Sequence, residues 1–97
     1  MILSVIAREL VQIYFEEIFG FCPPILDIRI SSGIPQQNTT YFEFAVRVGG
    51  VPYIFYIKEY AHDLDQYIIG CYLFRSSLCT RLVVQFDQIG GYSAERI

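Results

Sequence analysis

The sequence is poor in the residues that catalysis and nucleic-acid binding most often require. Among its 97 residues there are one histidine, one lysine and no tryptophan, and only 18% of the residues are charged. The formal net charge is −3, and the pI is near 4.9. Nucleic-acid-binding modules carry a basic patch or stripe, and none is visible here. The composition therefore argues against a nucleic-acid partner.

Paired cysteines and long hydrophobic runs are missing as well. Cys22, Cys71 and Cys79 are an odd number without paired spacing, which is typical of free thiols in a reducing compartment. The apolar run at the N-terminus has no basic residues before it and is interrupted at Arg8-Glu9, unlike a secretory signal. No stretch approaches the roughly 20 apolar residues of a membrane-spanning helix. These absences predict a cytoplasmic protein with no membrane contact.

Hydrophobic residues, by contrast, are plentiful. They make up 54% of the chain, including eight tyrosines and eight phenylalanines. A chain of this length predicts a single domain over residues 1–97, and so small a domain has little interior in which to bury apolar surface. The excess predicts an exposed apolar surface that binds a partner.

Residues 40–60 give the strongest local signal, two strands joined by Gly49-Gly50. Two glycines supply the positive φ angles of a type I′ hairpin turn. Side-chain alternation predicts an apolar face made by Phe42, Phe44, Val46, Val48, Val51, Tyr53, Phe55 and Ile57. The opposite face then carries Tyr41, Glu43, Ala45, Arg47, Ile54, Tyr56, Lys58 and Tyr60.

An amphipathic helix is predicted over residues 3–19, followed by a strand over residues 25–30. In the helix, apolar residues recur at three- and four-residue spacing (Leu3, Ile6, Leu10, Ile13, Tyr14), and Gly20 supplies a stop signal. In the strand, Asp27 and Arg29 share one face and Ile28 and Ile30 the other. A polar loop over residues 31–39 leads into the hairpin.

Two interpretations remain for residues 66–74, which are almost entirely apolar. Asp63, with Gln66 three positions later, resembles a helix capping box. The β-forming composition, Gly70 and the short span favour a fourth strand that is buried on both faces. The strand is slightly favoured.

A second helix is predicted near the C-terminus. Ser76 or Ser77 is its candidate cap, and Gly90-Gly91 its stop signal. Its apolar positions step by four, four and three residues (Leu78, Leu82, Phe86, Ile89). A frayed tail over residues 92–97 follows. The expected fold is α+β, with an N-terminal helix, an antiparallel meander of three to four strands and a C-terminal helix, both helices lying on one sheet face.

This order of elements also occurs in double-stranded RNA-binding domains and in a nuclease core, but the residues those proteins need are missing. Residues 76–81 hold no basic cluster for phosphates. The positions for the nuclease's metal-binding acids are occupied by Gln36 and Tyr56, so divalent-metal catalysis has no basis. His62, Asp63 and Asp65 are interpreted as a solvated turn rather than a metal site. We therefore expect no enzymatic activity, no metal and no cofactor.

The tyrosine-rich face of the hairpin is the candidate binding surface. Tyrosine and arginine are enriched in interface hot spots, although the same pattern also fits an ordinary half-exposed sheet face. The predicted partner-binding residues are Tyr41, Glu43, Arg47, Tyr56, Lys58, Tyr60 and Tyr72.

The function predicted from this surface is a small protein-interaction module of the inhibitor, immunity or adaptor type. It is expected to bind another protein and to self-associate as a homodimer or larger homo-oligomer. The alternative is a small-molecule-binding domain, with an aromatic pocket between the sheet and the first helix.

Overall fold

The computed structural model describes residues 2–30, 34–36, 39–60, 63–72 and 80–97, which form one helix and seven strands. The helix is α1 (Ile2–Phe19). The strands are β1 (Ile25–Ile30), β2 (Ile34–Gln36), β3 (Thr39–Val48), β4 (Val51–Tyr60), β5 (Asp63–Tyr72), β6 (Arg81–Phe86) and β7 (Tyr92–Arg96).

The strands form one antiparallel sheet, in the order β1-β3-β4-β5-β6-β7. The short strand β2 pairs with β3 on the same edge as β1, beyond the segment that β1 occupies. From β3 to β7 each strand lies beside the one before it in sequence, so the topology is a meander. Helix α1 packs on one face of this sheet, and the buried core lies between them.

The predicted hairpin is confirmed. Gly49 and Gly50 both have positive φ, 59° and 81°, as a type I′ turn requires. The pairing sets Phe44 opposite Phe55 and continues for ten residues on each strand. Phe44 and Phe55 are 3% and 0% exposed, so the apolar face is the one that points toward the core.

The N-terminal helix is also confirmed. Its inner side buries a continuous stripe made by Ala7, Leu10, Val11, Ile13, Tyr14 and Phe15. The ring of Tyr14 meets that of Phe55 edge-on, with centroids 5.1 Å apart. The Arg8 guanidinium donates a hydrogen bond to the carbonyl of Ile25 over 2.9 Å, which ties the helix to β1. The last turn closes with a 2.9 Å hydrogen bond from the Gly20 amide to the Glu16 carbonyl, and Gly20 has a φ of 88°.

Strand β1 has the predicted bounds but contains a β-bulge. Strict alternation would place Ile25 on the same face as Asp27 and Arg29. The register instead shifts between Leu26 and Arg29, and Asp27 has a positive φ of 56°. The extra residue lets Ile25 and Ile28 both reach the core while Arg29 lies opposite exposed Ala45. The cost of the positive φ is modest, because aspartate tolerates this region better than most residues.

The ambiguous segment is strand β5. Asp63 begins the strand rather than capping a helix. On the core side Tyr67, Ile69 and Cys71 are buried. On the other side Gly70 is buried as well, but Tyr72 is 43% exposed, so the strand is not fully enclosed.

The predicted C-terminal helix is wrong, and α1 is the one helix among the described residues. Residues 73–79, with the proposed caps Ser76 and Ser77, lie outside the part that the structure describes. Leu82 and Val84 alternate into the core, at 1% and 0% exposure, and pair with Ile69 and Tyr67 of β5. The four-residue spacing from Leu82 to Phe86 fits a strand as well as a helix, because both residues also share period-two parity.

Strand β7 replaces the predicted frayed tail, and Gly90-Gly91 belong to the turn that precedes it. The Asp87 carboxylate accepts hydrogen bonds from the amides of Ile89, over 3.1 Å, and Gly91, over 2.6 Å. Two side chains of β7 hold the end of α1. Tyr92 donates to the Glu17 carboxylate over 3.1 Å, and Arg96 donates to the Glu17 carbonyl over 3.4 Å. The α+β class therefore stands, with a larger sheet and a single helix.

We expect Phe44→Ala and Phe55→Ala each to destabilise the protein by about 3–5 kcal/mol, because each ring fills the core between helix and sheet. The total stability expected for this size is about 5–15 kcal/mol, so urea denaturation should show a large fall in the midpoint. Phe21→Ala is the control, because Phe21 is 66% exposed. A loss under about 1 kcal/mol at Phe44 or Phe55 would contradict the assignment of the core.

Candidate functional site

The face of the sheet opposite α1 is covered by no described element, and we call it the open face. It is built from alternate residues of neighbouring strands, and its register rows run across β1, β3, β4, β5, β6 and β7. Its members are Leu26, Arg29, Tyr41, Glu43, Ala45, Arg47, Pro52, Ile54, Tyr56, Lys58, Gln66, Ile68, Gly70, Tyr72, Arg81, Val83, Gln85, Ser93 and Glu95. All of these except Tyr56 and Gly70 are at least partly exposed.

Three tyrosines from three adjacent strands form the centre of this face. The rings of Tyr41 and Tyr56 are stacked, with centroids 5.8 Å apart. The Tyr56 and Tyr72 centroids are 5.0 Å apart, and the hydroxyls of Tyr41 and Tyr72 share a hydrogen bond. Tyr56 is only 8% exposed, whereas Tyr72 is 43% exposed. In this tyrosine cluster Tyr56 supports the other two rings instead of displaying its own.

The cluster depends on Gly70, which lies directly opposite Tyr56 in the β4–β5 pairing. A Cβ on Gly70 would overlap the Cζ, Cε1 and hydroxyl oxygen atoms of Tyr56. The missing side chain lets the tyrosine ring lie flat on the backbone of β5, an arrangement that also shields a weak glycine position within a strand. The packing of the Tyr56 ring therefore requires glycine at position 70 of β5.

Hydrogen bonds fix the upper layer of the cluster. The Tyr41 hydroxyl contacts the Glu43 carboxylate over 2.6 Å as well as the Tyr72 hydroxyl. Burial, followed by these hydrogen bonds to Glu43 and Tyr72, raises the pKa of Tyr41 well above its ordinary value of 10.0. The raised pKa keeps the Tyr41 hydroxyl protonated across the physiological range, and this hydroxyl engages Glu43.

The remaining predicted site residues surround the cluster at different distances. Lys58 pairs with Tyr41 across β3 and β4, and Arg47 pairs with Pro52 near the hairpin turn. The backbone of Tyr60 pairs with Thr39, but its side chain lies outside the described residues. Five of the seven predicted site residues therefore lie in or beside the tyrosine cluster (Tyr41, Glu43, Tyr56, Lys58, Tyr72), and Arg47 lies at one end of the open face.

The prediction omitted the aliphatic part of the open face. Ile54 is 42% exposed and sits between Ala45 and Tyr72 in one register row. Ile68 and Val83 continue the apolar surface toward β6 and are half-buried. The alternation of side chains in the hairpin already placed Ile54 on this face. Val83 could not be assigned to it, because its segment was interpreted as a helix.

A polar cleft of about 310 Å³ lies at the bulge of β1, at one corner of the open face. Two arginines, Arg29 and Arg47, line it together with Asp27, Ala45, Val46 and Pro52. Arginine guanidinium groups bind carboxylates and phosphates through paired hydrogen bonds. The bulge therefore places two guanidinium groups, which are suited to binding an anion, beside the apolar centre of the open face.

The predicted pocket between sheet and helix is filled by side chains. Leu10 and Val11 of α1 and Phe55 of the sheet are each 0% exposed. An apolar groove of about 220 Å³ instead lies at the end of the helix, where Phe15, Phe19, Phe21, Pro23 and Tyr53 meet. This groove lies between aromatic rings of α1 and Tyr53 of β4, so the alternative of an aromatic small-molecule site between sheet and helix stays a prediction.

Within the described ranges, no group of three histidine, cysteine or carboxylate side chains is arranged to hold a metal ion. His62 and the side chain of Asp63 lie outside those ranges, so the interpretation of that turn stays a prediction. Nor does the described part contain a helix long and apolar enough to cross a membrane. Comparison with protein-family models, curated proteins and solved structures finds no match.

We expect Gly70→Ala to destabilise the protein by about 1–3 kcal/mol, because its Cβ would displace the Tyr56 ring. Tyr56→Ala removes that obstacle, so the double variant should be more stable than the sum of the two single effects by at least about 1 kcal/mol. Urea denaturation of the four proteins in this cycle measures the coupling. Additive effects would show that the ring does not lie on Gly70.

The stability of the protein should also depend on Tyr41 at high pH. Because the pKa of Tyr41 is raised in the folded state, the unfolded chain loses this proton first, and stability falls as the pH rises above about 10. Tyr41→Phe should be less stable than the parent by about 0.5–1.5 kcal/mol at neutral pH, where a hydrogen-bond partner is lost. The difference should shrink above about pH 10. Urea denaturation at both pH values tests this, and parallel pH profiles would contradict it.

Proposed function

We propose that the protein is a non-enzymatic protein-interaction module that binds a partner protein through the open face. The observation that carries the proposal is the exposed apolar centre of that face, where Ile54 and Tyr72 are 42% and 43% exposed. Solvated faces of antiparallel sheets are mainly polar, with apolar residues on the core side alone. Here the helix covers the apolar core face, and the open face also exposes apolar side chains among its charged residues.

The arrangement of residue types supports an interface over an ordinary solvated face. Ile54, Ile68 and the tyrosine cluster occupy the middle strands. Arg29 and Glu95 lie on the edge strands and Arg81 on β6, whereas Glu43 and Lys58 lie beside the cluster and Arg47 lies near the hairpin turn. Protein interfaces have this organisation of an apolar centre within a polar rim. The hydrogen-bonded tyrosines also lose little conformational freedom on binding, since they are already ordered.

The class we propose is an inhibitor, immunity or adaptor module, which acts by occupying a surface of its partner. Self-association through the same face, predicted from the sequence, is one form of this activity. A cytoplasmic location is part of the proposal, and it is supported by the odd number of cysteines in the sequence and their lack of paired spacing.

Ile54→Glu tests the proposal, because it places a charge in the apolar centre at an exposed position. Affinity purification from the native host, with mass spectrometry, identifies proteins that bind the parent, and calorimetry with the purified partner measures affinity. We expect Ile54→Glu to lower that affinity by about 2 kcal/mol or more, roughly thirtyfold. The substitution should leave the circular dichroism spectrum unchanged, because the side chain does not enter the core.

Phe21→Glu is the matched control, since it introduces the same charge at an exposed apolar residue on the helix side. It should leave affinity unchanged. Equal binding by the parent and Ile54→Glu would overturn the proposal, and loss of binding in Phe21→Glu alone would move the site to the groove at the end of α1. Tyr56→Ala is less informative, because its ring is nearly buried. Light scattering on the same samples tests self-association.

A further inference from the structure

Charge is divided unequally between the two sides of the molecule. Among the described residues, the open face carries four basic residues (Arg29, Arg47, Lys58, Arg81) and three acidic ones, Glu43, Glu95 and, at its corner cleft, Asp27. The helix side, including the edges of the sheet that face α1, carries five acidic residues (Glu9, Glu16, Glu17, Glu59, Asp65) and two basic ones (Arg8, Arg96). A chain with a net charge of −3 therefore presents a basic binding face.

We infer that the occupant of the open face is an acidic segment of another protein, with carboxylates placed around an apolar centre. This inference rests on the proposed function and adds the chemistry of the partner. Opposite charges across an interface raise the association rate and select the partner. The apolar centre fits aliphatic or aromatic side chains, and the basic residues around it fit carboxylates.

The corner cleft provides a defined binding site for one carboxylate of the partner. Arg29 and Arg47 are both exposed and line the same 310 Å³ cleft. A carboxylate entering the cleft would meet two guanidinium groups and one carboxylate, that of Asp27, so positive charge predominates there. Paired guanidinium groups bind a carboxylate more strongly than isolated lysines do. Arg29 is available there because the bulge at Asp27 directs it to the open face.

A second copy of this chain fits the face less well. In a two-fold dimer the same surface meets itself, so two faces with excess positive charge would be brought together. Glu43 is already held by the Tyr41 hydroxyl. Among the described residues, Glu95 on the edge strand β7 and Asp27 in the cleft are then the carboxylates left to balance four cations.

A nucleic acid fits it less well again. A phosphate backbone needs closely spaced cations along a track, because each phosphate contact releases a condensed counterion. Here the basic residues are spread over β1, β3, β4 and β6, with apolar side chains between them. Stacking on successive bases would need several exposed aromatic rings, whereas in the tyrosine cluster Tyr56 is buried, Tyr41 is half-buried and Tyr72 alone is exposed.

Fluorescence anisotropy with a labelled peptide of alternating leucine and glutamate tests the inference. We expect this peptide to bind the parent protein, and to bind about tenfold or more weakly to Arg47→Glu, which reverses one charge of the cleft. Raising NaCl from about 50 mM to about 500 mM should weaken binding to the parent, because the interaction is screened. Gln12→Glu combined with Gln88→Glu is the matched control. It changes the net charge by the same amount at exposed positions away from the open face, and it should bind like the parent.

Other outcomes overturn the inference. No binding of the acidic peptide, equal weakening in the control variant, or preference for a leucine–lysine peptide or for oligothymidine would each do so. A dimer of the parent that Arg47→Glu dissociates would identify a second copy as the occupant. In these cases the proposed function still stands if Ile54→Glu lowers affinity for the purified native partner, so the two failures are separable.

Discussion

Every position on both faces of the sheet follows from the register of β3 with β4, which the Gly49-Gly50 turn sets. A shift of one residue would exchange Phe44 and Phe55 with Glu43 and Tyr56 and so place a carboxylate beneath α1. Strand β5 extends the same register, bringing Gly70 opposite Tyr56. The buried core and the tyrosine cluster are thus two results of one pairing.

The apolar side chains on the two faces of the sheet are shielded from water in different ways. On one side α1 excludes water, and Leu10, Phe55 and Ile69 are fully buried. On the other side no described element does this, and the tyrosines bury one another instead. Tyr56 is shielded by two rings and a glycine, and its neighbours direct their hydroxyls to each other and to Glu43. These ring contacts and hydrogen bonds order the tyrosine side chains in the unbound protein. Less conformational entropy would therefore be lost when the proposed partner binds.

The elements that were predictable from sequence are those encoded by neighbouring residues. The hairpin has its turn glycines within it, and α1 has a buried stripe on one side with a glycine at its end. The C-terminal strands are different, because Leu82 and Phe86 satisfy the period of a helix and of a strand equally well. What decides between them is pairing with Ile69 and Tyr67, more than ten residues earlier. The open face was predicted in part for the same reason: its hairpin residues are local, whereas the contact of Tyr56 with Gly70 and the bulge at Asp27 depend on strand partners.

The attachment of β7 to the end of α1 has a kinetic consequence. The hydrogen bonds of Tyr92 and Arg96 to Glu17 join residues 75 and 79 positions apart in sequence. Contacts between distant residues require large loops to close before any stabilisation is gained, and they slow folding. On a ribosome, the helix emerges long before the strand that holds its last turn. The last turn of α1 therefore gains the hydrogen bond from Arg96 only after the 79 residues that follow Glu17 have been added, so this contact forms late.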